Sequence, residues 1–321
     1  MSDKTKIEWS DATWNILTGC SIESTGCRGC YAMKLAGTRL RNHWSRINLT
    51  QPSAAGPVWT GEVRFNEPWL HQPLAWTRPR MIFVVAHGDL FHPNVPFETI
   101  DRIFAVMALC PQHKFQVLTK RTARMAEYFA HPNREALIGQ QVEQLRRQRT
   151  DRPVSEWPGL PMPNVWLGTS VENQRSADIR RAPLAAIAER GWLTWASYEP
   201  AVGGVDWSGW EFLRWMVAGG ESGATARPAH PEWFRDARDF CAGAKVPFLF
   251  KQHGEWLATI FCSDEQADVP PRELLYISPE GHSHDGSSGV DYFGGEEETA
   301  RIGKAVAGRL LDGVVHNGFP L

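Results

Sequence analysis

The sequence predicts an α/β fold on a parallel sheet, either a (β/α)8 barrel or a partial (β/α)6 TIM-like barrel. Short apolar, β-branched or aromatic segments alternate with segments whose apolar residues recur every three or four positions. Strands that are apolar nearly throughout are typical of a parallel sheet covered by helices. The eight candidate strands are 13–19, 61–67, 80–87, 113–120, 164–170, 193–199, 213–220 and 246–252.

Between these strands the apolar spacing is that of amphipathic helices. Pro231 suits the first turn of the last one, because proline lacks only an amide that has no partner there. The predicted apolar faces consist of Met33, Ala36, Leu40 and Trp44; of Ile100, Ile103, Phe104 and Met107; of Leu137, Val142 and Leu145; and of Trp233, Phe234, Ala237, Phe240 and Cys241.

Two parts of the chain do not follow this repeat. Residues 139–163 combine a charged helix end with a proline-rich loop and predict a surface insertion. Residues 257–321 include a glycine- and serine-rich loop at 278–289 and a last short helix within 300–313. We therefore expect a barrel over residues 1–256, and a C-terminal extension over residues 257–321 that packs on it.

The composition argues against a membrane-spanning or secreted protein. No apolar segment approaches the roughly 20 residues that span a bilayer, and the first residues lack the apolar stretch of a signal peptide. The sequence thus predicts a cytoplasmic protein with no membrane partner. Its formal charge of −2 supplies no overall attraction to nucleic acid, so such a partner would need a local patch.

Three cysteines, Cys20, Cys27 and Cys30, lie within eleven positions directly after the first predicted strand. In a reducing compartment, six cysteines in 321 residues do not indicate a disulfide framework, and clustered thiols indicate a metal. Three thiolates can ligate three irons of a [4Fe–4S] cluster and leave the fourth iron open. A structural zinc site normally has four ligands, and His43 could complete a Cys3His set as the alternative.

Polar residues also follow the other predicted strands, whose C-terminal ends form the active-site face of a barrel. Lys120, Arg121 and Lys251 could hold a phosphate or carboxylate. They could equally form a salt-bridge ring with carboxylates of the same face, namely Glu172, Glu199 and Glu221. His87 and Asp89 could exchange protons with a substrate, bind a second metal or form a structural pair.

Several longer motifs carry a family resemblance. They include KIEWSDATWNILTGC, GCRGCYA, DLFHPNVP, FQVLTKR, VWLGTSVEN, VAGGESG, ARPAHPEWFRDARDFC, VPFLFKQHGEW and GRLLDG. On these motifs the chain resembles the phage-associated three-cysteine-motif family of uncharacterised proteins over nearly its whole length, the insertion and the glycine-serine loop excepted. That family in turn resembles the radical S-adenosylmethionine (SAM) superfamily.

The resemblance implies a barrel of radical SAM type, with a [4Fe–4S] cluster on Cys20, Cys27 and Cys30 whose open iron binds SAM. An external electron donor would reduce the cluster, and cleavage of SAM would yield a 5′-deoxyadenosyl radical that acts on an unidentified substrate. The phage association points to a nucleoside or nucleic acid. The spacing CX6CX2C differs from the usual CX3CX2C, and Gly29 replaces the usual aromatic, which implies a reshaped cofactor loop or a lost activity.

The resemblance also suggests roles for the polar residues. By its position after the second predicted strand, Glu67 would receive the methionine amino group. Independently of the resemblance, Gly219 and Gly220 would let backbone approach a ligand such as adenine or ribose, or would form a tight turn without a ligand. The predicted catalytic residues are His87, Asp89, Lys120 and Glu199, and the predicted cofactor-binding residues are Asn66, Glu67, Ser170, Glu172, Gly219, Gly220, Glu221 and Lys251. Two alternatives stay open: a non-catalytic iron-sulfur or zinc-binding phage accessory protein, and a metal-independent barrel hydrolase that uses the carboxylates.

Overall fold

The computed structural model describes residue 5 and residues 7–148, 156–287 and 294–320. Within these residues the α-helices are α1 (Tyr31–Gly37), α2 (Phe97–Ala108), α3 (Thr122–Ala130), α4 (Arg134–Gln148), α5 (Gln174–Glu189), α6 (Pro231–Ala244), α7 (Asp264–Ala267) and α8 (Lys304–Ala307). The strands are β1 (Ala12–Trp14), β2 (Leu17–Thr18), β3 (Thr50–Gln51), β4 (Val58–Trp59), β5 (Arg64–Phe65), β6 (Met81–Val84), β7 (Lys114–Thr119), β8 (Val165–Ser170), β9 (Leu193–Tyr198), β10 (Trp215–Gly219), β11 (Phe248–Gln252), β12 (Trp256–Ala258), β13 (Leu274–Ile277), β14 (Ser283–His284) and β15 (Glu297–Arg301).

The fold is mixed α/β on a seven-stranded parallel sheet flanked by helices, which is compatible with a partial TIM-like fold. The strand order is β1-β6-β7-β8-β9-β10-β11. Six of the eight candidate strands therefore belong to this sheet. The candidate 13–19 is divided, because Thr13 and Trp14 lie in β1 whereas Leu17 and Thr18 form β2, outside the parallel sheet. The buried, largely apolar sequences of the six explain the agreement, because a strand covered on both faces has no polar side to reveal a period of two.

The prediction that 61–67 is a strand of the parallel sheet is wrong. The strand found there is β5, which pairs antiparallel with β2 in a separate two-stranded sheet. In this segment apolar Val63 and Phe65 alternate with polar Glu62 and Arg64, and the two strand residues are half-buried. Such alternation is typical of a strand with one solvated face, not of a buried parallel strand.

The described chain forms two compact units. The first comprises the described parts of Met1–Glu23, Cys30–Thr169 and Ala182–Thr194, and the second comprises those of Ser24–Gly29, Ser170–Arg181 and Trp195–Leu321. The short segment 24–29, which contains Cys27, thus belongs to a different unit from Cys20 and Cys30.

The first unit contains four parallel strands with matched registers. Ile82 of β6 lies between Ala12 of β1 and Phe115 of β7, and Phe115 in turn pairs with Val165 of β8. The buried face of α2 includes the predicted residues Ile100, Ile103, Phe104 and Met107. The predicted helix around Met33 is shorter than expected, because α1 ends at Gly37 and turns replace it up to residue 48.

The second unit contains β9, β10 and β11, which are parallel, and a four-stranded antiparallel sheet with the order β12-β15-β13-β14. Helix α6 begins at Pro231, as the sequence predicts, and buries Trp233, Phe234, Ala237 and Cys241.

Residues 139–148 of the predicted insertion continue α4, which buries Ile138, Val142 and Leu145. Part of the rest, 149–155, lies outside the described residues, as do 288–293, which include the end of the predicted glycine-serine loop. No helix in the described part of the chain is long and apolar enough to cross a membrane.

Candidate functional site

The cysteine segment, residues 20–30, begins where the β2–β5 pair ends. Cys20 follows β2 after Gly19, whose amide donates to the His87 carbonyl oxygen at 3.1 Å. Cys30 is the residue before α1, and it packs with Cys20 against one apolar cluster that includes Met33 and Trp59. None of the six cysteines, all of which lie in described residues, forms a disulfide.

The Cys20 thiol lies beside the Arg121 guanidinium in the first unit. Arg121 Nη1 is 3.6 Å from Cys20 Sγ, and the thiol donates to the Ser21 carbonyl oxygen at 3.4 Å. Burial raises the pKa of Cys20 to about 12, the negative charge of Asp89 adds to this, and Arg121 opposes both. Cys20 is therefore a neutral thiol here, and a metal would have to displace its proton in order to bind.

Asp89 holds Arg121 in place. Its Oδ2 accepts from Arg121 Nη1 at 2.8 Å and from the Lys120 amide at 3.2 Å, while its Oδ1 accepts from Thr119 Oγ1 at 2.7 Å and from the Phe91 amide at 2.9 Å. Four hydrogen bonds occupy both oxygens of this buried carboxylate. This geometry favours a positioning role for Asp89 over the predicted proton exchange.

Ser21 and His92 lie next to this pair. The Asn94 amide donates to His92 Nδ1 at 3.2 Å, so the proton is on Nε2, which lies 2.9 Å from Ser21 Oγ. Arg121 Nη2 also donates to Ser21 Oγ, at 2.8 Å. Because the serine oxygen accepts from both groups, His92 is not placed to take the serine proton, as a serine nucleophile would require.

The predicted catalytic residue His87 is held by a cation. Arg46 Nη2 donates to His87 Nδ1 at 3.0 Å, and the Tyr31 ring packs edge-on with its centroid 5.9 Å away. Burial, followed by the charge of Arg46, lowers the pKa of His87 to about 4. A neutral imidazole whose Nδ1 faces a guanidinium can donate a hydrogen bond from Nε2, but it is poorly suited to accept a proton.

The segment 24–29 is fixed by a buried carboxylate in the second unit. Glu172 is completely buried, and its Oε1 accepts from Ser24 Oγ at 2.7 Å while its Oε2 accepts from Arg180 Nη1 at 2.8 Å. A Cβ on Gly26 would lie 2.5 Å from Glu172 Cγ, so the loop needs glycine at this contact. Glu172, predicted to bind a cofactor, thus anchors the loop around Cys27.

A second carboxylate, Glu221, lies beside the same segment. Arg227 Nε and Nη2 donate to the two oxygens of Glu221 at 2.8 and 2.9 Å, and Nη2 also lies 3.3 Å from the Thr25 carbonyl oxygen. A Cβ on Gly29 would lie 2.5 Å from Glu221 Oε1. A side chain at position 29 would therefore have to displace the Glu221 carboxylate, which is paired with Arg227.

The remaining predicted residues of this unit also have partners within the protein. Lys251 Nζ lies 3.0 Å from Glu199 Oε1, so one pair of the predicted salt-bridge ring is present. The Gly220 amide donates to the Gln252 carbonyl oxygen at 3.0 Å, and a Cβ on Gly220 would lie 1.8 Å from the His253 carbonyl oxygen. Gly219 lies at a bulge of β10 and approaches Glu199, and Ser170 ends β8 with its carbonyl bound to Arg180 at 2.7 Å.

Asn66 and Glu67 follow β5, which is not a strand of the parallel sheet. Asn66 is completely buried, and its Nδ2 donates to the Asn15 carbonyl oxygen at 2.8 Å. Glu67 is exposed and ion-paired with Arg102, whose Nη1 is 3.1 Å from its Oε2. The structure therefore gives Glu67 a surface position and does not bring it to the end of a parallel strand, where the sequence analysis expected it.

Among the residues that the structure describes, no three histidine, cysteine, aspartate or glutamate side chains are grouped so as to hold a metal ion. His43, the alternative zinc ligand, has its Nδ1 bound to Ser45 Oγ at 2.7 Å. Three thiols are the donor chemistry of an iron-sulfur cluster, but among the described residues they do not form a ready-made metal site.

Sequence reasoning missed the residues that hold the cysteine segment, namely Ser24, Arg180 and Arg227. Arg180 lies on α5, and a charged residue on a helix is usually interpreted as part of the solvent-exposed face. Arg227 precedes a proline in a loop. The signal that could have found them is the pair of glycines at 26 and 29, since each predicts a close neighbour.

No curated protein and no solved structure matches the chain. The family described as "Protein of unknown function (DUF5131)" matches residues 4–320, which is nearly the whole chain. The chain therefore belongs to the DUF5131 family.

Proposed function

We propose that the chain is an iron-sulfur enzyme of the radical SAM type, in which Cys20, Cys27 and Cys30 hold a [4Fe–4S] cluster. One observation carries the proposal: three cysteines within eleven residues, none in a disulfide, in a segment fixed by dedicated ion pairs. Such a set leaves one iron open for SAM. The proposal places the protein in the reducing cytoplasm, where these thiols stay reduced.

When bound, the cluster and SAM would supply reductive cleavage of a carbon–sulfur bond and hydrogen abstraction from a substrate. An external donor would supply the electron. The resemblance to a phage-associated family supports a nucleoside or nucleic acid as that substrate.

The chain's own residues would prepare the thiols. Arg121 opposes the effect of burial on Cys20 and so favours its thiolate, the form that binds metals. Asp89 keeps the guanidinium in that position. Cluster binding would require Cys20 Sγ to turn away from the Ser21 carbonyl oxygen, its hydrogen-bond acceptor in this structure.

Ligand binding by the other predicted residues would have to compete with existing ion pairs. A carboxylate or phosphate that approached Lys251 would compete with Glu199, and one that approached Arg227 would compete with Glu221. The same pairing weakens the hydrolase alternative, because Asp89, Glu172, Glu199 and Glu221 each contact a cation. General acid–base catalysis needs a carboxyl group that is able to exchange a proton.

The test is anaerobic reconstitution of the full chain with iron and sulfide. We expect about four irons and four sulfides per chain, a change in the electron paramagnetic resonance spectrum of the reduced protein when SAM is added, and 5′-deoxyadenosine as a product. Cys20→Ala, Cys27→Ala and Cys30→Ala should each lose the cluster. Cys262→Ala is the matched control, because Cys262 is also partly buried but lies outside the segment.

The outcomes separate the alternatives. Iron and sulfide without SAM cleavage would favour the non-catalytic iron-sulfur protein, and stoichiometric zinc lost in the three cysteine variants would favour the zinc protein. Full iron content in all three variants would refute the assignment of the cysteines as ligands.

A further inference from the structure

The basic segment RLRNHWSR, residues 39–46, lies outside the cysteine segment in the first unit. The apolar spacing predicted a helix through Trp44, on whose solvated face these charges would need no partner. Instead α1 ends at Gly37, and the chain continues in turns, with the Arg41 amide bound to the Thr38 carbonyl and the Arg46 amide to the His43 carbonyl. The helical explanation of these charges therefore fails.

Three aromatic rings meet on this turn segment. The Trp44 and Trp69 rings have centroids 4.9 Å apart, and His43 lies 5.7 Å from Trp44 and 6.1 Å from Trp69. Trp44 is nevertheless 47% exposed, whereas most tryptophans of the chain are buried. A large ring that is supported by neighbours and open to solvent is suited to stacking against a planar ligand.

The turn is held in one conformation by hydrogen bonds from elements beside it. Arg64 of β5 donates to the carbonyl oxygens of Trp44 and of Ile47, the latter at 2.9 Å. Thr18 of β2 donates from Oγ1 to the Ser45 carbonyl oxygen at 2.5 Å. Because the backbone is fixed beforehand, a ligand that stacks on Trp44 would not have to order this segment.

The arginines of this turn segment and Arg64 lack acidic partners in the described part of the chain. Arg39 and Arg41 are exposed, and Arg46 is buried with its guanidinium 5.8 Å from the Trp69 ring centroid. Within the described ranges, no carboxylate forms an ion pair with these three arginines or with Arg64.

The pKa of Arg46 is consistent with this excess of positive charge. Burial lowers it to about 10, and the second cause is the positive charge of Arg64. Glu67, the carboxylate two positions before Trp69, is bound to Arg102 and does not neutralise the cluster.

We infer that these residues, Arg39, Arg41, His43, Trp44, Arg64 and Trp69, form a binding surface for single-stranded nucleic acid. A base would stack on Trp44, and the arginines would attract the phosphates on either side of it. A duplex lacks the unstacked base that the exposed ring requires, and an acidic peptide would use the charges but not the aromatic face. The surface does not depend on the proposed cluster.

The test is fluorescence anisotropy of a labelled oligothymidylate of about 20 nucleotides, titrated with the full chain at two salt concentrations, about 50 and 200 mM. Trp44→Ala should weaken binding about 5- to 150-fold, which is the worth of one stacked base, while Trp44→Phe should retain most of the affinity. The double variant Arg39→Gln, Arg41→Gln should lower the salt slope by about 1.4, which is about 0.7 for each lost phosphate contact.

The matched control is Arg175→Gln with Arg190→Gln, which removes two exposed charges elsewhere and should leave the slope unchanged. Thermal unfolding of each variant checks that it is folded. No binding by the wild type, equal affinity of folded Trp44→Ala, or a tighter complex with a duplex of the same length would each overturn the inference. A variant without the three cysteines should bind as the wild type does, so failure of the cluster proposal would leave this result intact.

Discussion

Replacing Arg180 with alanine should destabilise the protein through Glu172. Arg180 Nη1 donates to Glu172 Oε2 at 2.8 Å and to the Ser170 carbonyl oxygen at 2.7 Å. The Arg180 side chain is 4% exposed and that of Glu172 is fully buried. Arg180→Ala therefore removes the cation that is paired with this buried carboxylate.

The expected cost follows from that burial. Removing one partner of a buried ion pair costs about 3–5 kcal/mol of unfolding free energy, because the remaining charge stays desolvated. The exposed pair of Arg147 and Glu143 offers a comparison, with side chains 78% and 51% exposed. Exposed pairs at this helical spacing contribute about 0.3–0.5 kcal/mol, so the two arginine-to-alanine changes should differ about tenfold.

Urea unfolding followed by tryptophan fluorescence measures both variants, with Arg147→Ala as the control. A double variant, Glu172→Gln with Arg180→Met, should recover part of the loss, since it removes the buried charge and keeps an acceptor for Ser24. If Arg180→Ala lies within about 1 kcal/mol of the control, or if the double variant is less stable than Arg180→Ala, the reasoning is wrong.

Two further predictions concern single residues of the second unit. Gly29→Ala should displace Glu221 from Arg227 and lower the midpoint of thermal unfolding, whereas Gly243→Ala, where an added Cβ meets no atom, should not; equal midpoints would contradict the close approach. Burial lowers the pKa of His253 to about 4 from an ordinary 6.5, so the unfolded chain binds this proton first as the pH falls. The contribution of His253 to the unfolding free energy is therefore complete above pH 6.5. As the pH falls from 6.5 to 4, this contribution is lost at up to about 1.4 kcal/mol per pH unit. His253→Gln, which keeps a donor for the Leu310 carbonyl, should flatten that dependence in urea titrations at pH 7 and pH 4.5, and an unchanged slope would refute it.

Most of the parallel strands could be predicted from the sequence because they are largely apolar segments of four to six residues, whereas β1 has only three. The segment 61–67 could have been separated from them by its alternation, which is the sign of a strand with one solvated face. The end of α1 could not be predicted from the apolar spacing. Leu40 and Trp44 continue the helical period, but the contact between Gly37 and the Pro57 ring, which lies far along the chain, is a tertiary feature.

The candidate site residues were predicted from one feature, their position directly after a predicted strand. That position does not indicate which other residues each side chain contacts. Ser24 and Glu172 are 148 residues apart in the sequence, and Thr25 and Arg227 are 202 apart. A local pattern has no information at such separations. The same limit applies to His87, whose neighbour Arg46 comes from the turn segment and changes what the imidazole can do.

The anchoring of residues 24–29 has a consequence for protein engineering. Because Glu172 and Glu221 fit against Gly26 and Gly29, a graft of the cysteine segment alone into another scaffold would lose its supports. A transplant that works would have to carry four distant side chains as well, namely both carboxylates and the guanidinium groups of Arg180 and Arg227.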